Sequence, residues 1–346
     1  MSNIVQFPVE KSRGDFFAVD AKIWDKLCRE GGLNMPIAYL VMARGTGHDN
    51  RTTSWSTNAI EQRTGISRPQ AKLAVQKLVG GGYVRVDQAG TRPRYTLLPP
   101  KGKASEPDFI WLPNTLIDGA DGEVPPVELL RQSASLPGLQ LFVELYHAQS
   151  LAYVGGVHWR LIRSAYDRHR VGQRGQYVVW GFQHKTDEVW HKAAPFVVGK
   201  PVGQFRGDGD DKRLVLWDAL HVLKATGLAE YVGHVIDADT DDASVVHPYA
   251  LGETGELEER VISLEAHRAG QALLTDGQRA WVEEHGLRLL PAEQHRTNIQ
   301  LVGLLRLKYR ARTAATATWY DTEKWKEWAA TYQRLQHEET DTYAAL

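Results

Sequence analysis

The sequence predicts a mostly α-helical protein with short β-strands, of the α+β class. Between about residues 56 and 98, two short helical patterns are followed by two short strand patterns. From about Leu257 to the C-terminus the pattern is again helical, with a capping-box sequence from Thr275 to Gln278. At 346 residues, of which 42% are hydrophobic, the chain is long enough for two or three packed domains.

The N-terminal elements can be placed in order from their start and stop signals. Helices are predicted over 19–31 and 36–44, and a third over 56–64, where Gly65 ends it because glycine tolerates positive φ. The fourth helix begins at Ser67, which forms a capping-box pattern with Gln70, and ends at three glycines, 80–82.

The fourth helix has two contrasting faces. Its inner face is small and apolar, which permits close packing on the third helix; the residues are Ala71, Ala74, Val75 and Leu78. Its outer face carries side chains of the kinds that can bond base edges and phosphates: Arg and Lys can bond guanine, Gln can pair with adenine, and Leu can contact the thymine methyl. The outer residues are Ser67, Arg68, Pro69, Gln70, Lys72, Leu73, Gln76 and Lys77.

A strand–turn–strand follows, with strands over 83–86 and 95–98 and a tip over 87–94. Arg92 and Arg94 lie at the tip and Arg85 at its base. Arginines at these positions are expected to contact phosphate or the minor groove.

This arrangement resembles the winged helix-turn-helix DNA-binding superfamily, as in MarR-like and GntR-like regulators and in plasmid or phage replication initiators with tandem winged helices. The resemblance covers residues of about 20–100, and Thr64 and the triple glycine depart from the usual pattern. It implies a fold that is mostly α with short β wings, whose second helix enters the major groove. The residues that carry it most specifically are Gly65-Ile66-Ser67-Arg68, Leu78 and Gly82-Tyr83-Val84.

The distribution of charge also favours DNA as the partner. Residues 1–104 contain 16 Lys or Arg and 8 Asp or Glu, a net charge of +8, whereas the whole chain has a net charge of −1. A basic N-terminal region on a near-neutral chain is the electrostatic pattern of a DNA-binding domain.

The organisation of the rest of the chain is predicted from a weak internal sequence similarity. Residues 109–117 resemble 17–24, and 228–236 resemble 82–86, which predicts a diverged second winged helix. Residues 214–260 carry two Lys or Arg against ten Asp or Glu, so this copy is expected to dimerise or bind a partner. The predicted organisation is a flexible arm (1–15), a DNA-binding domain (16–99), a linker (100–106), the second winged helix (107–252) with an elaborated middle (157–211), and a helical C-terminal region (253–346).

Within that C-terminal region, a long helix is predicted from Pro291 through Arg310, with an apolar stripe of Ile299, Val302, Leu305 and Tyr309. Elsewhere, basic and aromatic residues interleave between 157 and 213, a mixture that binds phosphates and stacks on bases. An amphipathic helix with a solvated basic face explains that mixture equally well. The candidate phosphate contacts are Arg44, Arg51, Thr57, Arg160, Arg163, Arg168 and Arg170.

Catalytic chemistry finds no support in the sequence. It contains no phosphate-binding loop, dinucleotide-binding glycine motif or nucleophile elbow, so no catalytic residue, cofactor or metal is predicted. The single cysteine, Cys28, cannot form an internal disulfide, and no leader or membrane-length apolar run is evident. These features predict a cytoplasmic protein, and the resemblance to winged helix-turn-helix regulators implies a bacterial, nucleoid-associated one.

The favoured function is sequence-specific binding of double-stranded DNA by a homodimeric transcriptional regulator. One alternative is a plasmid- or phage-type replication initiator that binds repeated origin sites and recruits a replication partner. The second alternative is a non-catalytic adaptor whose winged helices bind proteins, for which Arg68 and Lys72 would be dispensable.

Overall fold

The chain divides into two compact units, Met1–His147 (unit 1) and Ala148–Leu346 (unit 2). The arm predicted at 1–15 and, apart from Pro100, the linker predicted at 100–106 lie outside the described residues. The computed structural model describes residues 16–100, 108–120, 122–150, 156–191, 194, 196, 198, 205–206, 213–238, 240, 242–250, 254–310 and 323–343.

Unit 1 is built around one helix, α2 (Asn34–Arg44), that is buried on all sides. Residues 35–43 of this helix are all buried, as expected for an apolar segment without a polar face. The elements of unit 1 are β1 (Phe16–Asp20), α1 (Ala21–Glu30), α2 (Asn34–Arg44), β2 (Thr52–Thr53), α3 (Thr57–Thr64), α4 (Arg68–Gly80), β3 (Val84–Gln88), β4 (Arg94–Leu97), β5 (Phe109–Pro113), α5 (Thr115–Asp118), α6 (Pro126–Gln132) and α7 (Leu136–Ala148).

Two small antiparallel sheets complete unit 1. Strands β1 and β5 pair with each other, and β2, β4 and β3 form a three-stranded sheet in that order. Helices α3 and α4 pack on α2, and α6 packs on α3. The β3–β4 hairpin follows α4 directly, and β3 also contacts α4.

Unit 2 contains a large antiparallel sheet. The elements of unit 2 are β6 (Gly156–Val157), β7 (Ile162–Arg174), β8 (Tyr177–Trp190), β9 (Phe205–Arg206), β10 (Arg213–Leu214), α8 (Val215–Ala225), β11 (Ala229–Ile236), β12 (Val245–Pro248), α9 (Leu257–Ala272), α10 (Asp276–Glu284), β13 (Arg288–Glu293), β14 (Gln300–Leu307) and α11 (Glu323–Tyr343). The order of strands in the large sheet is β12-β11-β14-β7-β8-β13, and β6 also pairs with β14, so the sheet has seven strands. Strands β9 and β10 pair separately.

The seven-stranded sheet shows that the predicted fold class was wrong. The chain is α+β with a large antiparallel sheet, not a mostly α protein with short β wings, a second winged helix and a helical C-terminal region. Strands β11 and β12 do pair, but as two members of the large sheet. The pairing of β7 with β8 lies in the basic segment, 157–213, and shows that this segment is not an amphipathic helix where the two strands run.

The helix predicted from Pro291 through Arg310 was also wrong. Pro291 lies in β13 opposite Val179, and residues 301–307 of β14 are all buried. A strand covered on both faces is apolar at nearly every position, so its residues also fill a helical stripe, and periodicity alone cannot separate the two structures. Gly303 permits a close approach of β14 to β7, because a Cβ on it would lie 1.9 Å from the Ser164 Oγ.

Helices α9 and α11 pack against each other, and α9 also packs on β13. The main core of unit 2 joins them to the sheet through residues such as Phe182, Tyr249, Ile262 and Tyr332. The predicted capping box from Thr275 to Gln278 is confirmed at the start of α10. Within the described residues, no helix is long and apolar enough to cross a membrane.

Candidate nucleic-acid interface

The turn between α3 and α4 sets the direction of α4. Gly65 ends α3 in the left-handed conformation (φ +64°), and its N–H donates to the carbonyl of Glu61 at 3.0 Å. Ile66 is buried at the corner, and Pro69 lies within the first turn of α4, where its missing N–H leaves no bond unmade.

Helix α4 buries one face and exposes the other. The four residues predicted to face inward are the four that are buried, with Leu78 completely inaccessible, so that prediction is confirmed. Leu73 is 45% exposed, which is unusual for a leucine and leaves an apolar contact on a polar face. The predicted outer residues are all exposed: Ser67, Arg68, Pro69, Gln70, Lys72, Leu73, Gln76 and Lys77.

The predicted capping box at the start of α4 was wrong. The Ser67 side chain makes no capping hydrogen bond. Instead, the backbone N–H of Arg68 donates to the Glu61 carboxylate of α3 at 3.2 Å. This carboxylate satisfies one of the unpaired N–H groups and matches the positive end of the helix dipole. The backbone N–H of Arg68 is therefore engaged within unit 1.

The β3–β4 hairpin carries three arginines, of which one forms an ion pair within the hairpin and two lie exposed near its tip. Arg85 is paired with Asp87 at 2.8 Å. A hydrogen bond from the Thr96 hydroxyl and the bond from Arg85 hold the pKa of Asp87 below its usual value. Arg92 and Arg94 are exposed near the tip, and the structure shows no ion pair for either among the described residues. These two charges remain available to a ligand.

A groove of about 990 Å³ lies between α4, the start of α3 and the hairpin. Arg68, Lys72 and Gln76 line it from α4, and Thr57 and Asn58 line it from the first turn of α3. Among the described residues that line it, none is acidic. The groove thus brings two cations and several neutral hydrogen-bonding side chains together with no opposing carboxylate.

The candidate phosphate contacts Arg44 and Arg51 differ in how far they are engaged within unit 1. Arg44 is engaged within unit 1, since its guanidinium bonds Asp118 at 2.6 and 2.8 Å and lies 5.6 Å from the Trp55 ring. Arg63 contacts the same carboxylate at 3.2 Å and stacks on Trp55 at 3.7 Å. Arg51 is exposed on the loop before β2.

The arginines predicted from the basic segment lie in unit 2, on or just before β7. Arg168 donates to the carbonyls of Thr297 and Ile299, each at 2.8 Å, and its guanidinium lies 4.4 Å from the Trp180 ring. It ties β7 to the loop before β14, which is a structural role. Arg163 donates weakly to a backbone carbonyl, at 3.4 Å, and Arg170 bonds Gln173; Arg160 precedes the strand and is exposed.

Sequence reasoning missed a buried polar network in unit 2. The Arg306 guanidinium makes two bonds to the Glu259 carboxylate, at 2.6 and 2.7 Å, and also donates to the His234 Nε2 at 2.9 Å. His234 donates from Nδ1 to the Val232 carbonyl, so its ring is neutral. Burial and the neighbouring arginine lower the pKa of His234 to about 3.

A second buried histidine, His247, bonds the Tyr332 hydroxyl at 2.8 Å, and burial lowers its pKa to about 4. Arg306 is 1% exposed, and both histidines are fully buried. The one signal in the sequence was the charged Arg306 inside an apolar run, which required a partner that lies 47 residues away.

Across the described residues, no three His, Cys, Asp or Glu side chains are grouped as metal ligands. In comparisons with known proteins, no family model, curated protein or solved structure matches this chain.

Proposed function

We propose that unit 1 binds double-stranded DNA, with α4 in the major groove and the β3–β4 hairpin against the backbone. The observation that carries this proposal is the groove beside α4, which presents Arg68, Lys72 and Gln76 and no acidic side chain. The resemblance of residues of about 20–100 to winged helix-turn-helix proteins agrees with it.

The dimensions of α4 suit this role. Its 13 residues span about 20 Å at 1.5 Å per residue, and a major groove about 12 Å wide admits an α-helix. Lys72 and Gln76 lie one turn apart on the exposed side, so they can reach successive bases. Leu73 adds an apolar contact suited to a thymine methyl group.

The hairpin supplies charge without specificity. Arg92 and Arg94 are exposed near the tip beside Gly90, whose φ of +116° makes the tight reversal possible. Arginines of this kind bond phosphates and release counterions, which makes affinity depend on salt. Arg85 contributes less, because its ion pair with Asp87 must be broken or shared.

Substitutions in α4 test the proposal. We expect Lys72→Ala and Gln76→Ala each to weaken binding to the preferred duplex by about 1–3 kcal/mol and to relax specificity at one base pair. The matched control is Lys26→Ala, which removes an exposed lysine of α1 that does not line the groove. Fluorescence anisotropy with a labelled duplex measures all three. Equal affinity of the α4 variants and the wild type would reject α4 as the reading helix.

The hairpin is tested by the salt dependence of binding. Arg92→Ala and Arg94→Ala should each weaken binding to all duplexes and reduce the slope of log K against log salt by about 0.9. Arg85→Ala should change that slope less. A larger effect from Arg85 than from Arg94 would show that the exposed arginines do not make the backbone contacts.

The cellular role proposed for this activity is transcriptional control, in a bacterial protein that associates with the nucleoid. Replication initiation is the alternative, and the two roles differ in the arrangement of sites. A regulator is expected to occupy single or inverted sites near promoters, and an initiator is expected to occupy direct repeats near an origin.

A further inference from the structure

Helix α9 exposes an apolar stripe. Leu257, Val261 and Leu264 are 65%, 52% and 47% exposed, and their spacings of four and three residues place them on one side of the helix. The opposite side is packed in the core of unit 2 through Ile262 and Ala266. Three large apolar side chains in line on an otherwise packed helix indicate a surface that another element covers.

The spacing of the stripe matches a coiled-coil seam. In the seven-residue repeat of a coiled coil, whose positions are lettered a to g, the apolar seam is formed by positions a and d. If Val261 occupies position a, then Leu257 and Leu264 fall at the two flanking d positions. A β-branched residue at a with leucine at d favours two parallel strands. This pattern selects a second helix of the same kind as the partner.

The charges beside the stripe identify the partner and its direction. Glu258 and Glu265 lie on one flank, at e positions, and Arg260 lies on the other, at a g position. The second g position is His267, which is partly buried and accepts from the Leu289 N–H, so it adds no charge. In a parallel pair related by a two-fold axis, each flank faces the opposite flank of the partner. Arg260 then meets Glu265 of the partner subunit, five residues further along, twice in the dimer. In an antiparallel pair Glu258 would meet Glu265 of the partner subunit, which is a repulsive contact.

We propose that α9 pairs in parallel with α9 of a second copy of this chain. Glu265 is held within unit 2 by the Gln336 amide, which donates to it at 2.7 Å, and by Arg268 at 3.4 Å; its side chain is 16% exposed, and a carboxylate can accept a further bond from Arg260 of the partner subunit. This dimer carries two copies of unit 1 but does not depend on what unit 1 binds.

The dimer should be weak. The 16 residues of α9 span about 24 Å, and one helix face of this length buries less than the ~800 Å² per partner of a standard interface. The next a position is occupied by Arg268, which meets its own copy in a parallel pair. Its ion pair with Glu265, at 3.4 Å, offsets part of that repulsion.

Sedimentation velocity of the full chain between about 1 and 200 µM tests the surface. The wild type should show a reversible monomer–dimer equilibrium. Val261→Glu should weaken it by more than about tenfold, and Arg268→Leu should strengthen it by about tenfold, because it replaces a repelling pair with an apolar one. The control is Val124→Glu, at an exposed valine of unit 1. A monomeric wild type that stays monomeric with Arg268→Leu, or a dimer indifferent to Val261→Glu, would overturn the proposal.

Cysteine cross-linking tests the direction. In a parallel pair each seam residue meets its own copy, so Leu257→Cys and Leu264→Cys should each form a disulfide-linked dimer alone under mild oxidation. In an antiparallel pair centred on Val261, only a mixture of the two variants would cross-link. The native Cys28 is buried, so the wild type is the control and should give no linked dimer. Cross-linking only in the mixture would refute the parallel arrangement.

Discussion

Replacing Glu259 by glutamine should strongly destabilise unit 2. Glu259 and Arg306 are 0% and 1% exposed and share two hydrogen bonds, of 2.6 and 2.7 Å. Glutamine keeps one acceptor but turns an N–H₂ group toward the guanidinium, which leaves a buried cation without its counter-charge. Breaking a buried ion pair from one side costs about 3–5 kcal/mol, because the remaining charge stays desolvated. We therefore expect the free energy of unfolding of unit 2 to fall by about that amount.

Hydrogen exchange read out on peptides measures this loss where it occurs. Because about 1.4 kcal/mol corresponds to tenfold, amide protection in β14 should fall by at least two orders of magnitude. Peptides from α2 in unit 1 serve as the internal reference. The matched variant is Glu256→Gln, since Glu256 pairs with Arg310 at 2.7 Å but is 31% exposed, so water can replace part of the lost interaction and the loss should be smaller. Equal losses in the two variants would refute the role assigned to burial.

Three further predictions concern stability. In the unfolded chain His234 and His247 take up protons near pH 6.5, whereas their folded pKa values are about 3 and about 4. The free energy of unfolding should therefore be unaffected by these histidines above pH 6.5 and should fall by about 1.4 kcal/mol per pH unit per histidine as the pH drops toward 4. Denaturant unfolding at pH 7.5 and pH 5 measures this loss, and equal stability at the two pH values would contradict it. Gly303→Ala should cost unit 2 about 2–3 kcal/mol because the new Cβ meets Ser164, and the added change Ser164→Gly should recover part of the loss in the same titration. Leu78→Ala should cost unit 1 about 2–5 kcal/mol in thermal unfolding, since this side chain is fully buried, and a loss below 1 kcal/mol would contradict the packing of α4.

The segment around α4 was predictable because its signals are local. Gly65 ends one helix, and the apolar spacing from Ala71 to Leu78 determines which face is buried; both are settled within a few residues. The capping at Ser67 failed because a carboxylate from α3, Glu61, supplied the bond that the local pattern assigned to the serine. A tertiary contact replaced a local one.

The large sheet was not predictable because its pairings join distant parts of the chain. Strand β14 lies between β11 and β7, and no local pattern reports those neighbours. Its residues are buried on both sides, so the alternation that marks a half-buried strand is absent. The same holds for the polar network, since Arg306 and Glu259 are separated by 47 residues and meet only after the sheet and α9 have packed.

Selection of bound sequences from random duplex DNA tests the central claim most directly. The full-length protein would be used at near-physiological salt, with Lys72→Ala and Lys26→Ala selected in parallel. The proposal predicts that the wild type and Lys26→Ala enrich the same defined motif and that Lys72→Ala loses discrimination at one position within it. No enrichment by the wild type, together with no salt-dependent binding, would contradict DNA recognition by α4 and leave protein binding as the function of this surface.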